Sequence, residues 1–187
     1  MTKSKKWTTK DVVYVAVFAA LALVFKFVGG FIPFLKMANG GSIEIEMIVL
    51  VIASFVLGYQ KGIVSALVYW VLAFMFNEAS YFLNPLQYAC DYLIPFVAMG
   101  CTTLFLFKGI KNDNLRYIVA VFIAFFIKYI CHLISGAFFY FPEGEVAGSV
   151  GAWIYSIGYN APYVIVSMII AMLIVPMIMS RVKTKVN

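Results

Sequence analysis

Asp91, Lys128 and His132 place ionisable groups inside long apolar runs, and His132 is the only histidine of the chain. A charged group within an apolar span costs about 2.5–3.5 kcal/mol or more unless it is paired or wetted, so each marks a candidate functional position. Lys128 and His132 stand four residues apart and share one helical face, which Ser135 and Gly136 continue. Gly136 lets a ligand or another backbone come close. Between Tyr129 and Asn160 the chain also gathers Tyr140, Trp153, Tyr155 and Tyr159. Tyr159 and Asn160 are adjacent and point apart. Asn160 is the favoured pocket member, because its amide both donates and accepts, which suits the edge of a heteroaromatic ring.

Blander readings stand beside these. Tyrosine and tryptophan belts are ordinary at membrane interfaces, a lone buried histidine often serves packing, and Asp91 with Lys128 also fits a structural ion pair. Coincidence of depth favours a ligand. At about 1.5 Å per residue, Asp91 falls about 7 Å inside the outer end of its helix. His132, Tyr140, Tyr155 and Asn160 reach the same outer third by separate counts.

Much chemistry is excluded. One histidine rules out a multi-histidine metal site. Cys90, Cys101 and Cys131 show no CxxC spacing. Cys131 and His132 are neighbours, about 100° apart on a helix, and cannot face one ion. There is no G-x-S-x-G, H-E-x-x-H or phosphate-binding G-x-x-x-x-G-K-[ST] sequence. No metal, cofactor or enzymatic activity is expected, and any ATP dependence must come from another chain. The net charge of +6 sits at the termini and in short connections rather than on an aromatic-studded polar face, so nucleic acid is not an expected partner.

The elements that position these groups are apolar helices. Apolar residues make up 64% of the 187-residue chain and charged residues 12%, where soluble domains hold about 45–50% and 25%. The apolar runs are continuous rather than alternating, which argues against a β-barrel. The chain is read as one all-α integral membrane bundle of six transmembrane helices. Residues 1–11 and 181–187 form basic tails, and the Lys-rich start leads into a span, not a removed signal peptide.

Helices are predicted over 12–28 (or on to 35, past Gly29, Gly30 and Pro33), 43–57, 63–76, 86–107, 115–139 and 152–180. The second and third are short against the roughly 20 residues a span needs. Gly58 to Gly62 reads as a tight turn, and Pro162 and Pro176 as perturbations of the last helix. Lys3, Lys5, Lys6, Lys10, Lys61, Lys108, Lys111, Arg116, Arg181, Lys183 and Lys185 then share one side. The positive-inside rule puts both termini in the cytoplasm, as expected for a multi-pass protein of the cell membrane. Glu44, Glu46, Glu78, Asp91, Glu143 and Glu145 fall toward the outer half, a bias that favours a cationic solute. Ala16 and Ala20 in the first helix have the small-x-x-x-small spacing of close helix contacts, within the bundle or with a partner.

Nearly the whole chain resembles the substrate-binding S components of energy-coupling factor (ECF) vitamin transporters, most closely the thiamine-specific kind. The resemblance is carried by the Ala16 to Ala22 run, by Ser42 and Glu44 opening the second helix, and by Tyr81, Gln87, Asp91 and Tyr92. His132 with Gly136, and Tyr155 with Asn160, complete it. It implies a chain that captures a vitamin from outside and docks, through the alanine strip, on a module of one transmembrane subunit and two ATPases. By matched position it implies that Asp91 contacts an aminopyrimidine, where the family uses glutamate. His132, Tyr155 and Asn160 match polar pocket residues, Tyr81 and Tyr92 aromatic ones, and Lys128 is placed beside them. Tyr140 stands where the family stacks a tryptophan, and no tryptophan lies near Gly40. The departures keep a thiamine precursor or another vitamin, such as riboflavin or a pyridoxine-like compound, as alternatives. A self-sufficient secondary transporter and an intramembrane enzyme are rivals from other classes.

Overall fold

Thr8 sets where the first helix begins. Its side chain accepts from the Asp11 N–H, and Asp11 bonds back to the Thr8 N–H, a reciprocal capping box. Helix α1 therefore covers Thr9–Gly30, starting three residues before the apolar run at Val12. The computed structural model describes residues 7–37 and 41–182. The tail lysines Lys3, Lys5, Lys6, Lys183 and Lys185 and the connection residues Asn39 and Gly40 lie outside the described residues.

Among the described residues the chain forms six helices. After α1 come α2 (Glu46–Leu57) and α3 (Tyr59–Met75). Helix α4 is composite: α-helical Pro85–Tyr88, a π-helical turn Ala89–Leu93, then α-helical Ile94–Gly100. Helices α5 (Asp113–Phe139) and α6 (Val150–Met179) complete the bundle, capped by Asn112 and Ser149. Single 3-10 turns lie at Pro33–Leu35 and Thr102–Phe105. Helices α1, α5 and α6 are long and apolar enough to cross a membrane, and α2 and α3 are shorter apolar helices.

Three further boundaries differ from the sequence expectation, each for a local reason. Residues 43–45 stay out of α2 because the Ile43 N–H bonds the Leu35 carbonyl and the Glu44 N–H bonds Ser167 Oγ at 3.0 Å. The expected turn from Gly58 to Gly62 shrinks to Gly58 alone, at φ 84°, a conformation that glycine adopts without strain. Gly62 falls inside α3 instead. A Cβ there would lie 2.2 Å from the Gly100 carbonyl oxygen, so the backbones of α3 and α4 meet glycine to glycine. The fourth helix ends at Gly100 rather than near Phe107. Ser54 of α2 draws the next turn away: its Oγ accepts from the Thr103 N–H, and its carbonyl accepts from Thr103 Oγ1. Pro162 and Pro176 lie within α6, which remains helical through both.

Phe55, Tyr69, Phe96, Phe125, Met47 and Leu50 fill the interior between α2, α3, α4 and α5. Helices α5 and α6 pack along one another most extensively, and α1 lies against α2 and α3. Val12, Val13, Val17, Leu21 and Val24 leave the outer side of α1 apolar and exposed. Ala19 and Ala22 face inward, fully buried, whereas Ala16 and Ala20 face outward on that exposed side. A continuous apolar exterior on a helical bundle is what a bilayer accepts and water does not.

Candidate ligand cavity

Helices α4, α5 and α6, together with the segment leading into α2, surround a cavity of about 610 Å³. Asp91, Tyr92, His132, Tyr140, Tyr155, Asn160 and Tyr81 all line it. The residues proposed from depth and from resemblance thus come to one place, with the exception of Lys128, which stands behind the wall, buried. A second cavity of about 460 Å³ adjoins and shares Lys26, Gly41, Ser42 and Glu78 with the first.

Asp91 projects from the π-helical turn of α4. Such a turn inserts an extra residue into the helical spiral and re-aims the side chains on it. Its Oδ2 accepts from Gln87 Nε2 at 2.6 Å and from the Tyr140 hydroxyl at 3.1 Å. Burial, and after it the Asp91 carboxylate, raise the pKa of the Tyr140 hydroxyl above its ordinary value, so it remains a donor. Tyr81 packs beside Tyr140 with ring centroids 6.0 Å apart. On the far side Tyr155 and Tyr159 lie nearly parallel, 6.1 Å apart.

His132 belongs to a relay of fixed direction. Lys128 Nζ lies 2.8 Å from His132 Nε2, and an ammonium only donates, so Nε2 accepts. The ring proton then sits on Nδ1, 3.3 Å from the Tyr163 hydroxyl. That hydroxyl passes its own hydrogen to Asn160 Oδ1 at 2.5 Å. Asn160 Nδ2 donates to the Ser156 carbonyl at 2.9 Å and to the His132 carbonyl at 3.4 Å. Asn160 therefore lines the cavity with an amide already engaged between α5 and α6, rather than one held in reserve for a ring edge.

The alternative reading of Asp91 and Lys128 as a structural ion pair is not realised among the described residues. Lys128 Nζ is 2.7 Å from Glu44 Oε2. Two residues on, Glu46 pairs with Lys26 of α1 at 3.4 Å. Glu44, Lys26 and Glu78 also line the cavity. Among the described residues neither Asp91 nor Glu78 makes an ion pair, so the cavity carries surplus negative charge. Such a site attracts a cation through Coulomb forces that low-dielectric walls strengthen.

Other expectations shift. Tyr159 lines the cavity together with Asn160, because its hydroxyl accepts from the Gly41 N–H at 2.8 Å and closes the segment before α2 onto α6. Gly136 lines the cavity as well as the helix contact: a Cβ there would lie 2.2 Å from Ser156 Oγ. Trp153 packs edge-on against Phe138 and is not among the lining residues. Sequence reasoning does not single out Glu44, Lys26, Glu78 and Tyr163 as pocket groups. For Glu44 a signal existed, an acid opening an apolar run. For Tyr163 the only clue was its place one turn beyond Tyr159. No group of His, Cys, Asp and Glu among the described residues is arranged to hold a metal ion.

The comparisons agree with this architecture. The family described as Thiamine transporter protein (Thia_YuaJ) matches residues 12–187. The chain is 32% identical over 167 residues to thiamine transporter ThiT of Bacillus subtilis (strain 168), covering 83% of each. The fold is shared with a solved structure of ThiT from Listeria monocytogenes at a TM-score of 0.71 and 20% identity, over 91% of this chain and 93% of that one. A family match across nearly the full length, a relative above 30% identity and a common six-helix fold place this chain in the ThiT family of thiamine transporters, a family of membrane transport proteins.

Proposed function

We propose that this chain captures thiamine in the 610 Å³ cavity, on the outer side of a bacterial cell membrane, as the S component of an ECF importer. The observation that carries the reading is a tyrosine-lined cavity holding the carboxylate of Asp91, which makes no ion pair among the described residues. Thiamine carries a fixed positive charge on an aromatic ring and an amine on a second ring. Aromatic faces hold such a cation for about 0.5–2 kcal/mol per contact. A carboxylate accepting the amine adds about 1.5–3 kcal/mol. The names of the relatives support thiamine over its precursors and over other vitamins.

In this reading six helices span the bilayer, lipid covers their outer surface, and both termini are cytoplasmic. ATP is hydrolysed by two ATPases of a separate module, whose transmembrane subunit docks on α1 at Ala16 and Ala20. The outward, small-residue face of α1 at these positions supports that docking surface. Substituting leucine at both positions is expected to abolish thiamine uptake by cells containing the module, while thiamine affinity of the purified chain changes less than about twofold. Uptake retained by the double variant would remove the docking surface. Uptake by the chain without any ATPase partner would favour a self-sufficient transporter.

A further inference from the structure

Gln87 has no exposed surface and does not line the cavity, yet its side-chain amide bonds directly to Asp91, which does. Asn84 caps the start of α4, its Oδ1 accepting from the N–H groups of Leu86 and Gln87 at 3.0 Å each. Gln87 Oε1 accepts from the Leu83 N–H at 2.8 Å. Gln87 Nε2 faces the Tyr81 carbonyl at 3.4 Å and Asp91 Oδ2 at 2.6 Å. The amide has one workable orientation. Flipped, its oxygen would oppose a carbonyl and a carboxylate, and its NH₂ would oppose an N–H.

We infer that Gln87 is a positioning residue that sets the ligand specificity of Asp91. The inference rests on the thiamine reading above. Asp91 Oδ2 is filled by two donors, Gln87 and Tyr140, and the plane of the carboxylate is held by them. Among the described residues Oδ1 makes no hydrogen bond, and Asp91 lines the cavity, which makes Oδ1 the acceptor offered to a ligand. Thiamine has one N–H donor group, the amine of its pyrimidine ring, so a fixed acceptor at this point selects that amine. An aspartate side chain on a π-helical turn has a short reach, and its useful direction depends on the buried amide one turn before it. The segment carrying Tyr81 and Leu83 is tied to the same amide, so the aromatic rim and the carboxylate are set by one group.

The test compares purified full-length chain, wild type against Gln87→Met and Gln87→Glu, by calorimetric titration with two ligands. One is thiamine, and the other is its analogue with hydrogen in place of the pyrimidine amine. Methionine keeps the side-chain volume and removes both polar atoms. Glutamate keeps the acceptor for Leu83 and replaces the donor facing Asp91 with an acceptor. Thermal unfolding identifies which variants are folded. Each folded variant is expected to lose about tenfold or more in thiamine affinity and less than about twofold for the analogue. Equal losses for both ligands would reduce Gln87 to general structural support and overturn the inference. Unchanged thiamine affinity would overturn it as well. A folded wild-type chain that binds no thiamine would instead overturn the functional reading on which it stands.

Discussion

Replacing Lys128 with methionine is expected to destabilise the folded chain by about 3 kcal/mol, the cost of removing one partner from a buried ion pair. The Lys128 side chain is 1% exposed and that of Glu44 15%, and they meet at 2.7 Å. Methionine fills the volume but leaves the Glu44 carboxylate uncompensated beside apolar helices. It also removes the donor to His132 Nε2, so the direction of the relay through Tyr163 to Asn160 is no longer fixed. Thermal unfolding in detergent measures the first effect. Adding Glu44→Gln to the Lys128 variant removes the orphaned charge, so the double variant should recover most of the lost stability. A single variant as stable as wild type would show that this pair does not hold the segment before α2 against α5.

Asp91→Ala is expected to weaken thiamine binding tenfold or more. The bond lost is charge-assisted and contributes about 1.5–3 kcal/mol, where each 1.4 kcal/mol is a factor of ten. The substitution also strands Gln87 Nε2, which has no surface exposure, so some loss of stability accompanies the loss of affinity. The Tyr140 hydroxyl, at the cavity rim, has water available in place of Asp91. Titration of folded Asp91→Ala against wild type checks this. Equal affinities would remove Asp91 from the binding site.

The bundle was legible where hydrophobicity alone decides. Six apolar runs gave six helices, because a lipid-facing helix needs little more than length and apolar side chains. The misplaced ends are those set by polar partners. The capping box of Thr8 and Asp11 lies outside any apolar run, and the bonds to Leu35 and Ser167 that hold Ile43 and Glu44 outside α2 come from elsewhere in the fold. The π-helical turn beneath Asp91 has no periodicity signal of its own, being one extra residue in a helix.

The lining of the candidate cavity was legible by depth. Rise per residue is nearly constant in a helix, so counting along the chain placed Asp91, His132, Tyr140, Tyr155 and Asn160 at one level, and they line one cavity. Pairing was not legible. Depth does not say which acid meets Lys128, and the segment before α2 brings Glu44, not Asp91, to it. Nor does it say how an amide is spent. Asn160 is at the expected level, but its oxygen is taken by Tyr163 and its nitrogen by backbone carbonyls. Trp153 has the right level and the wrong azimuth, packing on Phe138 outside the lining.

Calorimetric titration of thiamine into the purified, folded chain decides whether the cavity is a thiamine site. Saturable binding to one site is expected, with a Kd between nanomolar and low micromolar, about −12 to −8 kcal/mol. A folded chain that gives no heat of binding with thiamine, and no rise in melting temperature with it, would show that the chain does not capture thiamine.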